Sequence, residues 1–204
     1  VYETQYGYFN GFEDGSFSSD WTQTTNFNIK SDRTYEGSYS AGQDSGNSID
    51  AILKPSYTDG GKQINNLTFY WQETTNQTGF TVELEDSNGN DILQAGGNNP
   101  QWELSDGTGS TTVYSGDGYD RWIKYQFEFN WGDGEYTYTM KDLSSGHTET
   151  GTRSLSNNTD FETLKINDSN SDWGNATHMW FDSINIDKEE EVFQPGQDEN
   201  IKVR

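Results

Sequence analysis

The residues in this chain best placed to do chemistry are carboxylates. Val-Glu-Leu-Glu-Asp at 82–86 sets Glu83, Glu85 and Asp86 close together, with the two glutamates on one side of an extended strand. Two carboxyls about 5–5.5 Å apart across a glycosidic bond are the equipment of a retaining hydrolase. Here, however, a Ser-Asn-Gly turn comes next, and Val82 and Leu84 alternate with the glutamates. Glu83 and Glu85 therefore read as the polar face of a half-buried strand before they read as a catalytic pair. The only histidines, His147 and His178, show neither metal spacing nor a serine partner. No catalytic residue is assigned on these grounds.

A second acidic group opens the chain. Asn10–Gly15 reads Asn-Gly-Phe-Glu-Asp-Gly, a turn signal wrapped around two adjacent carboxylates, Glu13 and Asp14. Runs at 116–120 (GDGYD) and 167–172 (NDSNSD) are also acidic, but neither has the ligand spacing of an EF-hand loop. Aromatic residues offer another chemistry, because the C–H faces of a sugar stack on flat rings flanked by hydrogen-bonding groups. Trp71, Trp102, Tyr114, Tyr119, Trp122 and Trp173 are the candidates. Any single Trp among them reads first as a core or structural residue; as a set they exceed what a small, apolar-poor core requires.

Composition narrows the partners. The 204 residues carry 34 acidic and 12 basic side chains, a formal charge of −22, which repels nucleic-acid phosphate and anionic lipid. Only 29% of residues are hydrophobic, as in many disordered chains, yet 15% are aromatic, which disordered chains are not. The expectation is a thin core of large rings. Absence of Cys excludes disulfides and thiolate chemistry. So acidic and lysine-poor a domain suits molar salt, where carboxylates hold water and cations while their repulsion is screened; an ordinary acidic extracellular domain is the alternative. No apolar run approaches the roughly 18 residues of a spanning helix, so membrane insertion is not expected. The chain opens on Val1, as a processed or excised segment would. Five sequons, at Asn66, Asn76, Asn157, Asn167 and Asn175, permit glycosylation of an exported protein.

The elements that must position these groups are strands. Period-two alternation recurs at 48–55, 63–73, 78–96, 121–131, 134–142 and 178–187, with turn signals about every eight to twelve residues. In 121–131, Trp122, Lys124, Gln126 and Glu128 share the polar side, and Ile123, Tyr125, Phe127 and Phe129 the apolar one. A Gly-Asp-Gly turn joins this strand to 134–142 as a hairpin. The fold class expected is all-β, an antiparallel sandwich of jelly-roll type with very little helix. Residues 10–187 form the domain, 1–9 an aromatic arm, and 188–204 an acidic extension.

Three motifs in order carry a resemblance. Asn10, Phe12, Glu13 and Gly15 with Trp21 come first, Glu36–Gly37–Ser38–Tyr39–Ser40 next, and Trp180–Phe181–Asp182–Ser183–Ile184 last. Over residues 9–187 the chain resembles the concanavalin-like and carbohydrate-binding-module jelly rolls, of the kind found in haloarchaeal cell-surface or virion proteins. The resemblance implies that the first and last strands lie side by side, often stapled by a structural Ca²⁺. Its ligands here would be the Glu13 carboxylate, carbonyls near Gly11 and Gly37, and Asp182, a mixed oxygen set of the type this ion takes. It further implies a non-catalytic recognition or adhesion module at a cell or virion surface, contacting a glycan or cell-surface glycoprotein. An architectural subunit of a homo-oligomeric or larger surface assembly, without a small ligand, is the alternative. A glycosidase is the outsider, since concanavalin-like glycosidases carry Glu-x-Asp-x-x-Glu on one strand and the second Glu of that pattern is missing after Glu83 and Glu85.

Overall fold

The computed structural model describes residues 7–44, 49–55, 63–74, 79–98, 101–106, 109–116, 120–168 and 179–188. These fold into two antiparallel sheets packed face to face, and no helix occurs among the described residues. One sheet runs in the order β13 (Thr148–Ser154), β12 (Glu135–Asp142), β11 (Arg121–Asn130), β6 (Ile64–Glu73), β15 (Met179–Lys188), β4 (Ser40–Gln43) and β3 (Phe27–Lys30). β1 (Gly7–Asn10) joins it as an eighth strand beside β15. The other sheet runs β10 (Gly109–Ser115), β9 (Gln101–Asp106), β8 (Asp91–Asn98), β7 (Gly79–Glu85), β14 (Thr163–Asp168), β5 (Ile49–Leu53) and β2 (Trp21–Thr25).

The alternating patterns define these strands, and their apolar sides meet between the sheets. Phe69, Tyr125, Phe127 and Phe181 from the eight-stranded sheet face Phe80, Val82, Leu84 and Leu104 from the other, all buried. Phe69 stacks on Tyr125 at 5.0 Å, and Trp71 reaches across to Phe80 at 4.1 Å. Such ring pairs contribute about 0.5–1.5 kcal/mol each beyond their buried area, which is how an apolar-poor chain sustains a core. Two of the four end strands, β13 and β10, are polar and largely exposed, as edges that must resist pairing with other chains should be.

β15 departs from simple alternation. Its pairing with β6 shifts register between Asp182 and Asn185, and Ser183 takes a left-handed φ of 48°. This bulge absorbs one residue, so Phe181 and Ile184 both face the core. Asp182 is left pointing to the opposite side, with its carboxylate beneath the β3–β4 connection.

Candidate functional site

The β3–β4 connection, residues 31–39, lies across the outer face of the eight-stranded sheet and is held there by two carboxylates. The first comes from the opening turn. Asn10 Oδ1 accepts the Phe12 N–H at 2.8 Å, Phe12 adopts φ 61°, and the Phe12 carbonyl accepts the Gly15 N–H at 2.9 Å. A left-handed Phe costs about 1–2 kcal/mol. Burying the ring to 1% exposure against Phe17 and Trp21 offsets this. The turn then delivers Glu13 onto the loop, where it accepts the Ser38 N–H at 2.8 Å and the Tyr39 N–H at 3.1 Å. Gly37 sits directly beneath it at φ 70°, and any Cβ there would overlap the Glu13 carboxylate. Gly11 flanks the same side chain.

The second carboxylate is Asp182, fully buried. One oxygen accepts the N–H groups of Tyr35 at 2.8 Å and Glu36 at 3.2 Å; the other accepts the Ser183 N–H at 2.7 Å. Burial pushes its pKa up, the backbone donors pull it down, and the nearby Glu13 charge pushes it up again, for a net rise. Neither carboxylate has an ion-pair partner among the described residues. Glu13 and Asp182, expected as companions from the ends of the chain, are thus brought together with Gly11 and Gly37. The two carboxylates lie near enough for the Glu13 charge to act on Asp182. Most of their acceptor positions already receive loop N–H groups.

So held, the loop assembles an aromatic ridge. Tyr35, 38% exposed, stacks on Tyr70 at 3.8 Å and 11°, and Trp122 meets Tyr35 edge-on at 6.1 Å. Burial and the Tyr35 hydroxyl push the Tyr70 phenol well above its usual range. Arg33 lies 4.9 Å over the buried Trp180, whose indole N–H donates to Asp32 at 3.1 Å. Arg33 also pairs with Asp120, which accepts the Gln72 amide at 3.1 Å. Register places Tyr70 between Asp182 and Lys124, and Trp122 beside Gln72. Lys124 Nζ donates to Gln126 Oε1 at 2.8 Å. Rings flanked by an amide and an ammonium group, here Gln126 and Lys124, can stack on a ligand and hydrogen-bond its edge.

Of the aromatic candidates, Trp122 belongs to this ridge; Tyr35 and Tyr70 join it unexpectedly. Trp71 and Trp102 are corrections: at 3% and 2% exposure neither offers a ring face to solvent. Strand parity turns Trp71 inward against Phe80, and Trp102 inward with Leu104. Tyr114 is half-buried; it packs on Trp102 at 4.7 Å and stacks on His147 at 4.1 Å, while His147 Nε2 meets Glu149 at 2.8 Å. This group, together with the Arg153–Asp106 pair at 2.6 Å, ties the edges of the two sheets. Tyr119, Trp173 and His178 lie outside the described residues, as do the sequons at Asn76 and Asn175. Asn66 stands mid-strand opposite Asp187 and Glu128. Asn167 lies within β14 and bonds Glu83, and the Asn157 amide is engaged by Asp86, so none of the three is on a free loop tip.

The glutamate pair lies on the outer face of the other sheet. Glu83, Glu85 and Asp91 bring carboxylate oxygens within 4.8 Å of one another, and Lys165 pairs with Glu85. Burial pushes Glu83 up. Asp86 does different work: it accepts N–H groups from Asn88 (2.9 Å) and Asn90 (2.8 Å) and the side-chain amides of Asn90 and Asn157, closing the β7–β8 turn. Those donors, the Asn90 amide first, hold it well below the usual carboxylate range.

The fold is an antiparallel jelly-roll β-sandwich of the concanavalin-like kind. No protein-family profile and no curated protein sequence matches the chain. Solved structures do share its fold. An apo Crh5 transglycosylase matches with TM-score 0.60 and 11% identity over 90% of this chain and 85% of its own. Basic winged bean lectin with Tn-antigen matches with TM-score 0.57 and 8% identity over 88% of this chain and 96% of its own. The CBM2 module of the Lactobacillus casei BL23 phage J-1 evolved Dit gives 0.54 and 12%, over 91% and 99%. A sialidase gives 0.59 and 7% over 90% of this chain, which spans 18% of that protein.

Proposed function

We propose that this chain is a non-catalytic glycan-recognition module that works outside the cell, at a cell or virion surface. The observation that carries the reading is the ridge of Tyr35, Tyr70 and Trp122 on the outer face of the eight-stranded sheet, flanked by Lys124 and Gln126. Stacking on such a ridge supplies affinity, and the polar row supplies orientation. Names of structurally similar proteins, a lectin with its antigen and a CBM2 module, support the same direction. A glycan array in physiological and in molar salt tests it. Binding that disappears in Trp122→Ala and Tyr35→Ala, with unfolding unchanged, is the expected result. Retention of binding in both variants would remove the ridge from the function.

In this reading Ca²⁺ is held by Glu13 and Asp182 with carbonyls near Gly11 and Gly37, and it would staple the loop that carries Tyr35. The high acidity suits a halophilic setting. An architectural role is the second reading, and Phe9 favours it: the ring is 65% exposed on β1, at the margin of the eight-stranded sheet. Self-assembly in light scattering, lost in Phe9→Ser, would support that role. Catalysis has one observation behind it, the Glu83–Glu85–Asp91 cluster. Turnover of a polysaccharide abolished by Glu83→Gln would establish it over binding alone.

A further inference from the structure

The chain is short of cations, and most of those among the described residues are paired. Lys30, Arg33, Lys54, Arg121, Arg153 and Lys165 each reach a carboxylate. Lys124 and Lys141 do not: among the described residues no carboxylate lies within ion-pair reach of either. They are also not scattered. The register of β11 and β12 sets Lys124 directly opposite Lys141, on the outer face, while Tyr70 lies on the other side of Lys124. Trp122 is two residues along the same strand face. Like charges placed opposite one another in a sheet are unfavourable. In a protein of charge −22, a lysine pair beside the aromatic ridge that no described carboxylate neutralises is conspicuous.

Resting on the reading of the ridge as a glycan platform, we infer that Lys124 and Lys141 receive an anionic substituent of the bound glycan, a carboxylate or sulfate on the sugar that stacks on Tyr35 and Trp122. The ammonium groups supply charge-assisted hydrogen bonds to that one group. The surrounding acidic field opposes polyanions at long range, and salt screens it beyond about 8 Å at physiological strength, so the contact survives where the far field does not. Two lysines as point charges suit either anion, whereas a bidentate arginine would favour one planar shape.

Matched probes separate charge from shape: oligogalacturonate against its methyl ester, and sulfated against unsulfated lactose, titrated at about 0.15 M salt. The anionic member of at least one pair should bind about tenfold more tightly, the equivalent of one charge-assisted hydrogen bond. The Lys124→Gln/Lys141→Gln double variant should bind both members of that pair equally, whereas Trp122→Ala should lose both. The unliganded double variant should melt at the same temperature or higher, since it loses a repulsion. Equal binding of charged and neutral members by the wild type, still dependent on Trp122, overturns this inference and leaves the glycan platform standing. A lower melting temperature in the double variant also overturns it, by making the pair structural. Failure to bind any of the four probes, or any glycan on the array, overturns both readings.

Discussion

Glu13 and Asp182 come from opposite ends of the chain and hold the two halves of one loop, Asp182 taking the N–H groups of Tyr35 and Glu36, Glu13 those of Ser38 and Tyr39. The residue left between them is Gly37. Carboxylates bonded to consecutive backbone donors are strong acceptors, and here they convert an exposed connection into a fixed support for Tyr35.

Gly37→Ala tests that support directly. The new methyl group would overlap the Glu13 carboxylate and sit at φ 70°, so Glu13 must let go. Gly89→Ala is the control: its φ is 77°, with no atom within 4 Å of the added carbon. The control should cost only the backbone term, about 1 kcal/mol, and Gly37→Ala clearly more in urea unfolding. Equal losses would show that Glu13 does not bear on the loop.

Asp182→Asn replaces one acceptor by a donor. Either the Tyr35 and Glu36 N–H groups or the Ser183 N–H would then face an NH₂, an unsatisfied arrangement costing about 1–3 kcal/mol. The same variant should increase the mobility of Tyr35, read as faster amide exchange at 35–39. Unchanged exchange there would count against the clamp.

Acid should weaken the fold through Asp86 and Asp142. Asp86 is held low by its Asn90 and Asn157 donors. Burial pushes Asp142 up, but bonds from Ser145, Arg121 and Ser144 outweigh it, and its value is also lowered. A carboxylate lowered in the folded state contributes stability that is present above the ordinary aspartate value of 3.8 and is lost as pH falls through the lower folded value. Glu83 and Asp182, both raised, act in the opposite sense: their burial penalty is present at neutral pH and is relieved on protonation. In urea unfolding between pH 7 and 2, Asp86→Asn should be less stable than wild type at neutral pH, and the gap should close toward pH 2. A gap independent of pH would remove Asp86 from the acid response.

Calcium should raise the melting temperature if Glu13 and Asp182 hold it. At a hundredfold excess over the dissociation constant the gain is about 2.7 kcal/mol. Glu13→Gln should abolish the gain, and a chelator should reverse it in the wild type. Identical melts with calcium and with chelator, in wild type and variant alike, would leave the loop held by its N–H groups alone.

Much of the fold was legible in alternation, because one buried sheet face demands period two. The hairpin of 121–131 with 134–142 forms as β11 and β12, and Trp122 lies on the polar side where its strand put it. The neighbouring strand hid its parity in Thr-Phe-Tyr-Trp-Gln, an aromatic run with no polar break. Tyr70 faces out and Trp71 in, so the larger ring was the wrong one of two adjacent residues to choose. Tyr35 was illegible for another reason. Nothing local makes it part of a site; it becomes one only when Asp182 bonds its N–H from the far end of the chain.

The bulge at Ser183 has a consequence for how much change β15 can absorb. Without Ser183 the strand would read Phe181, Asp182, Ile184, Asn185, Ile186, a strict alternation that keeps both isoleucines inward. Deleting Ser183 should therefore spare the core and remove only the left-handed residue and the N–H it gives to the Asp182 carboxylate. Deleting Asn185 instead would turn Ile186 to water and drive Asp187 inward. The Ser183 deletion should still unfold cooperatively, with a lowered midpoint, whereas the Asn185 deletion should lose cooperative unfolding. The extra residue of β15 serves the carboxylate above the sheet and not the layer of rings below it.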